Sequence, residues 1–337
     1  MRISVIGCGR WGSFIAWYLN GIGKDVRLYG RENSEHMKIL MASNKNEYIE
    51  FPEGFKFTTN LEDTLKSDII IISISSQNLR ELMNTIKTYG LKNKIYVLCM
   101  KGIEIDTGLR LSQVVSEYID TESKTALWIG PGHVQEFYRG VPNCMVINSE
   151  DTEVKHKLVE EFSGNLIRFY YGNDFIGNEI GAATKNVIGI AAVILDSCNL
   201  SSLKGALMSR GAKEVSHLIK NMGGNPISAY GLCHLGDYEA TIFSKHSNNR
   251  KFGEAFVKKE PFEKLAEDYY TVKTVMKLAK EYDTDMPIRC GARCGSSTLR
   301  DGVRRGAGRS AGSARRRPKA KSVGQTRAPD ALSPPVV

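Results

Sequence analysis

The sequence predicts an α/β domain built on a doubly wound, mainly parallel sheet, followed by an all-α domain. Three observations predict it. Short unbroken apolar runs alternate with helical periodicity from Ile3 to Ile129, the pattern of strands covered on both faces. A glycine-rich turn, GCGRWG at Gly7–Gly12, joins the first apolar run to the first helical pattern. Beyond Tyr171 the alternation stops and only helical patterns follow.

The first run, ISVI at 3–6, reads as a short buried strand, and a helix is expected over Arg10–Leu19. Strand, G-x-G-x-x-G and helix in that order form a dinucleotide fingerprint. Gly7 allows the tight turn, Gly9 lets the backbone approach a pyrophosphate, and Gly12 lets helix and strand pack closely. The phosphates then lie at the helix N-terminus. The second strand is expected at Val26–Tyr29 and runs into Gly30-Arg31-Glu32. Arg31 suits a 2′-phosphate, whereas Glu32 comes late for the ribose hydroxyl, so NADP or dual use with NAD is expected, NADPH slightly favoured.

Further strands are expected at Ile69–Ile74, Ile95–Cys99 and Ala126–Ile129, with helices at Asn78–Tyr89 and Leu109–Ile119. Three loops leave the C-terminal ends of these strands, where open α/β sheets bind ligands. They are Ser75-Ser76-Gln77, Lys101-Gly102 and Gly130-Pro131-Gly132. Lys101 is placed to face the cleft, although an isolated lysine there also reads as an ordinary surface residue.

The helical half is organised around Asp174–Asp196, DFIGNEIGAATKNVIGIAAVILD. A helix apolar on nearly every face belongs in a core. Lys185 within it is either a paired structural charge or a reactive group facing a cavity, because burying an ammonium is costly and depresses its pKa. Asn186 adds a donor and an acceptor beside it, and Gly181, Ala182, Ala183 and Gly189 leave room. Helices are also expected at Leu203–Met222 and Lys264–Tyr282. The intervening segment 231–256 carries Asp237, Thr241, Ser247, Asn248, Asn249 and Arg250, a polar set that reads as a solvated loop or as a binding loop.

Domain boundaries follow: 1–172 for dinucleotide binding, 173–288 for substrate and catalysis, and 289–337 as a low-complexity basic tail. The formal net charge is +9, but residues 289–337 hold twelve Lys and Arg against Asp301 and Asp330, leaving the rest near neutral. The body thus carries no polyanion signal. The tail lacks Phe, Trp and Tyr, so disorder and no specific nucleic-acid binding are expected. Seven scattered cysteines (8, 99, 144, 198, 233, 290, 294) suggest free thiols in a reducing compartment, and neither a metal site nor a membrane span is expected. The expectation is a cytoplasmic protein.

Taken in order, the segments resemble the bacterial-type NAD(P)-dependent glycerol-3-phosphate dehydrogenases over about residues 2–288. The motifs are GCGRWG, SQNLRE at 76–81, KGIEIDTG at 101–108, GPGHVQEFYRGVP at 130–142 and IGNEIGAATKNVIGIAA at 176–192. SRGAKE at 209–214, LGDYEATIFSKHSNNRKFG at 235–253 and DMPI at 285–288 complete the series. The resemblance implies a Rossmann domain, a helical catalytic domain, a homodimer, and reduction of dihydroxyacetone phosphate to glycerol 3-phosphate for glycerophospholipid synthesis. It implies Lys185 as the proton-transferring lysine, Lys101 as a second active-site lysine, and Asn186 and Asp237 as polar groups around the substrate. It places Gly7, Gly9, Arg10, Trp11, Gly12, Arg31, Tyr48, Lys101, Val134, Asn248 and Glu267 at the dinucleotide. Gly130, Gly132, Ser247, Asn248, Asn249 and Arg250 fall, with Lys101, Lys185 and Asp237, where the substrate is held.

Four departures accompany the resemblance. Asn248 stands where the family has arginine, and it cannot make a bidentate charged contact with phosphate. Gly132 replaces a serine or threonine, Arg10 replaces a common serine, and the tail replaces the final helical stretch. The departures leave two alternatives open: action on a different small phosphorylated or acidic ketone, or a catalytically weak dinucleotide-binding protein.

Overall fold

The computed structural model describes residues 1–197, 200–238 and 267–288. Its first half alternates as expected. In chain order the elements are β1 (Arg2–Ile6), α1 (Arg10–Gly21), β2 (Asp25–Tyr29), α2 (Glu35–Ser43), β3 (Lys56–Thr58), α3 (Leu61–Leu65) and β4 (Ile69–Ile72). A 3-10 turn at Ser76–Asn78 leads into α4 (Leu79–Lys87). Then come β5 (Ile95–Leu98), α5 (Leu111–Ser116), β6 (Lys124–Ile129), α6 (Val134–Tyr138), β7 (Asn143–Ser149), α7 (Thr152–Phe162) and β8 (Ile167–Tyr171).

The eight strands form one sheet in the order β3-β2-β1-β4-β5-β6-β7-β8. The first six are parallel, β7 pairs antiparallel with β6, and β8 runs parallel to β7. Strand order reverses between β1 and β4, the switch point at which such sheets open a crevice for ligands. All four isoleucines of β4 are fully buried, as a central strand covered on both faces requires. One face packs β1 and β6 residues such as Val5 and Trp128 against Phe14, Leu19 and Phe162 of α1 and α7. The other packs Ile70, Ile72 and Leu98 against Leu79, Met83 and Val114 of α4 and α5.

The structure adds elements that the sequence reading passed over. β7 carries a four-residue apolar stretch, Cys144–Ile147, flanked by Asn143 and by the buried polar pair Asn148-Ser149, and no strand is among those expected there. The elements α2, β3, α3, α6, α7 and β8 are likewise not among the strands and helices expected from the sequence. The helix expected over 109–119 contracts to Leu111–Ser116; its start is fixed where the Gln113 side chain accepts from the main-chain amide of Arg110, 3.0 Å.

Beyond β8 the described chain is helical, with α8 (Phe175–Ser197), α9 (Lys204–Asn221), α10 (Glu267–Glu281) and 3-10 turns at Pro226–Tyr230 and Leu235–Asp237. The apolar girdle of α8 has a direct cause. Ala182 packs into the sheet-side core, Ile180 and Ala183 pack with Val215, Leu218, Val275 and Leu278 of α9 and α10, and Ile188 and Ala192 pack against Tyr238. A helix enclosed on three sides needs no polar face. No helix among the described residues is long and apolar enough to cross a membrane, and no His/Cys/Asp/Glu cluster among them is arranged to hold a metal. Cys8, Cys99, Cys144 and Cys233 are free thiols. The tail 289–337 lies outside the described residues.

Candidate active site

The glycine-rich turn sits at the C-terminal end of β1. Gly7 has φ +116, and a Cβ there would stand 2.1 Å from the Ser73 carbonyl oxygen of the neighbouring strand end. A Cβ at Gly12 would stand 1.9 Å from the Gly7 carbonyl oxygen, so this glycine closes the helix onto the strand. Gly9 differs, for a Cβ there would meet nothing within 4 Å. Two glycines are therefore required by the protein's own packing, while the third borders open space at the N-terminus of α1. That is the cradle a pyrophosphate needs, with helix-start amides facing it.

Several of the expected dinucleotide residues gather around the turn. The Arg10 guanidinium lies over the Tyr48 ring, 5.8 Å from its centroid, bringing a cation and an aromatic face to one side of the cradle. Trp11 is half-buried against Phe14 and Phe137, with centroids 5.1 and 6.3 Å apart. Arg31 and Glu32 are exposed just after β2, at the sheet's C-terminal edge. Val134 does not project into the crevice: it is buried in the core beside Phe137, which leaves only its main chain for a ligand. Glu267 opens α10, and its side chain, like Ser247, Asn248, Asn249 and Arg250, lies outside the description.

Lys101 follows β5 on the same edge of the sheet. Its ammonium donates to the Gly130 carbonyl, 3.0 Å, and to Asp237 Oδ2, 2.5 Å. It is thus no ordinary surface lysine. The loop carrying it is strapped down by the SQNLR segment. Gln77 Nε2 donates to the Ile103 carbonyl and Gln77 Oε1 accepts from the Ile105 amide, both at 3.0 Å. Arg80 makes a two-point contact with the Glu104 carboxylate at 2.7 and 2.8 Å, and this holds the Glu104 pKa below the usual carboxylate range. Gln77 belongs to one of the three loops expected at the strand ends, whereas Arg80 and Glu104 carry no signal of their own beyond their place inside two of the quoted motifs.

Lys185 lies mid-way along α8 and its side chain is 8% exposed. Its ammonium stands 2.5 Å from Asp237 Oδ2, the oxygen that also receives Lys101. Asp237 is 1% exposed and is delivered by the 3-10 turn 235–237. Burial lowers the Lys185 pKa to about 8; the Asp237 carboxylate opposes that shift, and the nearby Lys101 cation reinforces it. Asn186, the next residue on α8, is half-buried. Helix α8 is itself anchored to the first half of the chain through Glu179, which accepts from Arg110, 2.8 Å, and from the Ser112 amide and hydroxyl, 2.9 and 2.7 Å.

His133, another residue the sequence reading passed over, sits between the two regions. Burial lowers its pKa, so the ring is neutral at pH 7; Glu136 and Asp237 oppose that shift, Lys185 and Arg10 add to it. Gly132 beside it has a packing reason: a Cβ there would stand 2.3 Å from Phe137 Cε2. The Phe137 ring occupies the space where a larger residue at 132 would begin.

The arrangement places a glycine turn open at Gly9, two ammoniums and a bridging carboxylate at the C-terminal edge of one sheet. A buried lysine with a pKa near 8 can donate a proton at neutral pH and stabilise a developing oxyanion.

Two family models match the chain. That described as the N-terminus of NAD-dependent glycerol-3-phosphate dehydrogenase covers residues 2–155, and that described as its C-terminus covers 174–292. The chain is 35% identical over 303 residues to the glycerol-3-phosphate dehydrogenase (NAD(P)+) of Chlorobium phaeobacteroides, covering 86% of this chain and 90% of that one. It is likewise 35% identical over 257 residues to the enzyme of the same name from Halothermothrix orenii, covering 75% of each. Among solved structures, glycerol-3-phosphate dehydrogenase from Coxiella burnetii superposes with a TM-score of 0.80 at 26% identity, over 90% of this chain and 98% of that one. A ketopantoate reductase from Ralstonia eutropha, 11% identical with a TM-score of 0.63 over 90% of this chain and all of that one, shares the fold alone.

Proposed function

The chain belongs to the NAD-dependent glycerol-3-phosphate dehydrogenase family, and from that premise we propose how its residues reduce dihydroxyacetone phosphate to glycerol 3-phosphate with NADH or NADPH. The observation that carries the assignment of roles is the convergence of Lys185 and Lys101 on Asp237 Oδ2, beside the open cradle at Gly9.

Gly7, Gly9, Gly12 and the start of α1 hold the pyrophosphate, with Arg10, Trp11 and Tyr48 alongside. When bound there, the nicotinamide supplies the hydride. Lys185 donates its proton to the ketone oxygen as charge develops on it, and in the reverse direction accepts it from the alcohol. Lys101 adds a second positive charge next to that oxygen, and Asp237 fixes both ammoniums so that no reorganisation is needed at the moment of transfer. Asn186 hydrogen-bonds the substrate. Gly130, Gly132 and the segment 247–250 hold the phosphate end. Arg31, exposed after β2, gives NADPH the advantage over NADH through a 2′-phosphate contact.

The division of labour follows the family boundary: residues 1–172 bind the dinucleotide and 173–288 provide the catalytic lysine. Activity as a homodimer in the cytoplasm, feeding glycerophospholipid synthesis, completes the proposal and rests on family membership.

The test is oxidation of NADH and of NADPH by the purified protein with dihydroxyacetone phosphate, beside unphosphorylated dihydroxyacetone and an acidic ketone. Turnover confined to the phosphorylated ketone supports the proposal. Faster turnover of the acidic ketone would replace it with a different substrate.

A further inference from the structure

We infer that His234 and Tyr238 form a positioning pair that sets the contact between Lys185 and Asp237; the inference rests on Lys185 being the proton-transferring group. Both side chains are completely buried, and they flank Asp237 in sequence on either side of its 3-10 turn.

Their geometry is directional. His234 Nδ1 lies 2.8 Å from the Gly181 carbonyl oxygen. A carbonyl only accepts, so Nδ1 carries a proton. In the neutral ring Nε2 is then an acceptor, and the Tyr238 hydroxyl donates a hydrogen bond to it at 2.6 Å. The rings meet nearly edge-on, 4.7 Å between centroids at 66°. Gly181 lies one helical turn before Lys185 in the continuous helix α8, so its carbonyl is also the i−4 acceptor for the Lys185 amide. His234 therefore grips the peptide group on which Lys185 is seated, while the turn it begins delivers Asp237 to the Lys185 ammonium.

Two helices make room for the pair. A Cβ at Gly181 of α8 would stand 3.0 Å from His234 Cβ, and one at Gly211 of α9 would stand 2.6 Å from Ile188 Cδ1 and 3.2 Å from the Tyr238 hydroxyl. An imidazole and a phenol taken wholly out of water cost free energy unless their polar atoms are bonded. Apolar residues would fill the same space without that cost. What the polar pair adds is direction: it fixes the turn to α8 at one peptide group. A carboxylate 2.5 Å from a buried ammonium offsets part of what burial takes from its proton affinity, so small displacements of Asp237 change Lys185.

The experiment uses the full-length enzyme with Tyr238→Phe, His234→Asn and the double variant, with Lys185→Met as the reference. Steady-state constants, the pH profile of kcat and thermal melts are recorded for each. Tyr238→Phe and His234→Asn are each expected to lower kcat roughly tenfold, with KM within about twofold. Both move the alkaline limb of the profile, and the double variant falls little further than either alone. His234→Asn, which keeps a donor for the Gly181 carbonyl, retains more activity than His234→Leu. Variants that melt lower but keep the kcat and the limb of the parent, while Lys185→Met is inactive, assign the pair to stability alone and overturn the inference. An active Lys185→Met enzyme would instead remove the assignment of the lysine on which it rests.

Discussion

Lys185 Nζ and Asp237 Oδ2 stand 2.5 Å apart, and Lys101 Nζ reaches the same oxygen at the same distance. One carboxylate thus serves two ammoniums, and the three groups keep a net positive charge where the substrate oxygen would lie. Stripping one partner from a buried ion pair costs about 3–5 kcal/mol, because the remaining charge is left uncompensated. The arrangement therefore holds together only as a unit, and its chemistry is testable through pH.

The Lys185 pKa near 8 fixes the sign of that dependence. Ketone reduction needs the ammonium, so kcat for reduction falls as pH rises through about 8. Alcohol oxidation needs the free amine, so its kcat rises through the same region. The linkage to folding has its own sign: the folded pKa lies below the ordinary 10.5, so between about 8 and 10.5 the unfolded chain binds more protons. The contribution of this group to stability grows with pH across that window. Profiles of kcat in both directions, run on one preparation, check the first statement. Two limbs of the same sign would contradict it.

Asp237→Asn leaves Lys185 beside Lys101 with no carboxylate between them. The attraction that raises the Lys185 pKa is lost and the repulsion that lowers it remains. The alkaline limb of the reduction profile is expected to move to lower pH, with kcat down about a hundredfold or more. An unmoved limb would separate Asp237 from the lysine.

The fingerprint glycines are expected to divide by cause. Gly9→Ala should melt with the parent, since the added methyl meets no protein atom within 4 Å, yet bind dinucleotide weakly. Gly12→Ala should lose about 1–3 kcal/mol of stability through the clash with the Gly7 carbonyl. Thermal melts with and without NADH distinguish the two. A Gly9→Ala protein with full cofactor affinity would place the pyrophosphate elsewhere.

Gly132→Ser restores the hydroxyl that the chain lacks but drives its Cβ into Phe137, which itself stacks on Phe14 at 4.8 Å. A lower melting temperature is expected, recovered in part by adding Phe137→Leu. Equal melts for Gly132→Ser and the parent would show that the ring yields freely.

The long periodic elements and the fingerprint were legible in the sequence because they rest on local patterns. Ile69–Ile72 is apolar throughout, and the crowded helix around Lys185 announces its burial. What was not legible depends on contacts between distant segments. Lys101 reads from its own surroundings as a cleft-facing or an ordinary surface lysine, and its partner Asp237, 136 positions away, is visible only in the fold. His234 and Tyr238 reveal themselves only through Gly181 and Gly211 on two other helices. The side chain of Val134 is taken up by the core, a placement its motif does not reveal. The antiparallel pairing of β7 with β6 is set by where the chain returns to the sheet and not by the four-residue run Cys144–Ile147 itself.

The central claim is that Lys185 transfers the proton, and the most direct measurement compares the parent with Lys185→Met. Dihydroxyacetone phosphate-dependent oxidation of NADPH is followed for both, together with NADPH binding by fluorescence. The account predicts that Lys185→Met binds NADPH as the parent does while turnover falls about a hundred- to ten-thousand-fold. A folded Lys185→Met protein that keeps near-parental turnover would contradict it.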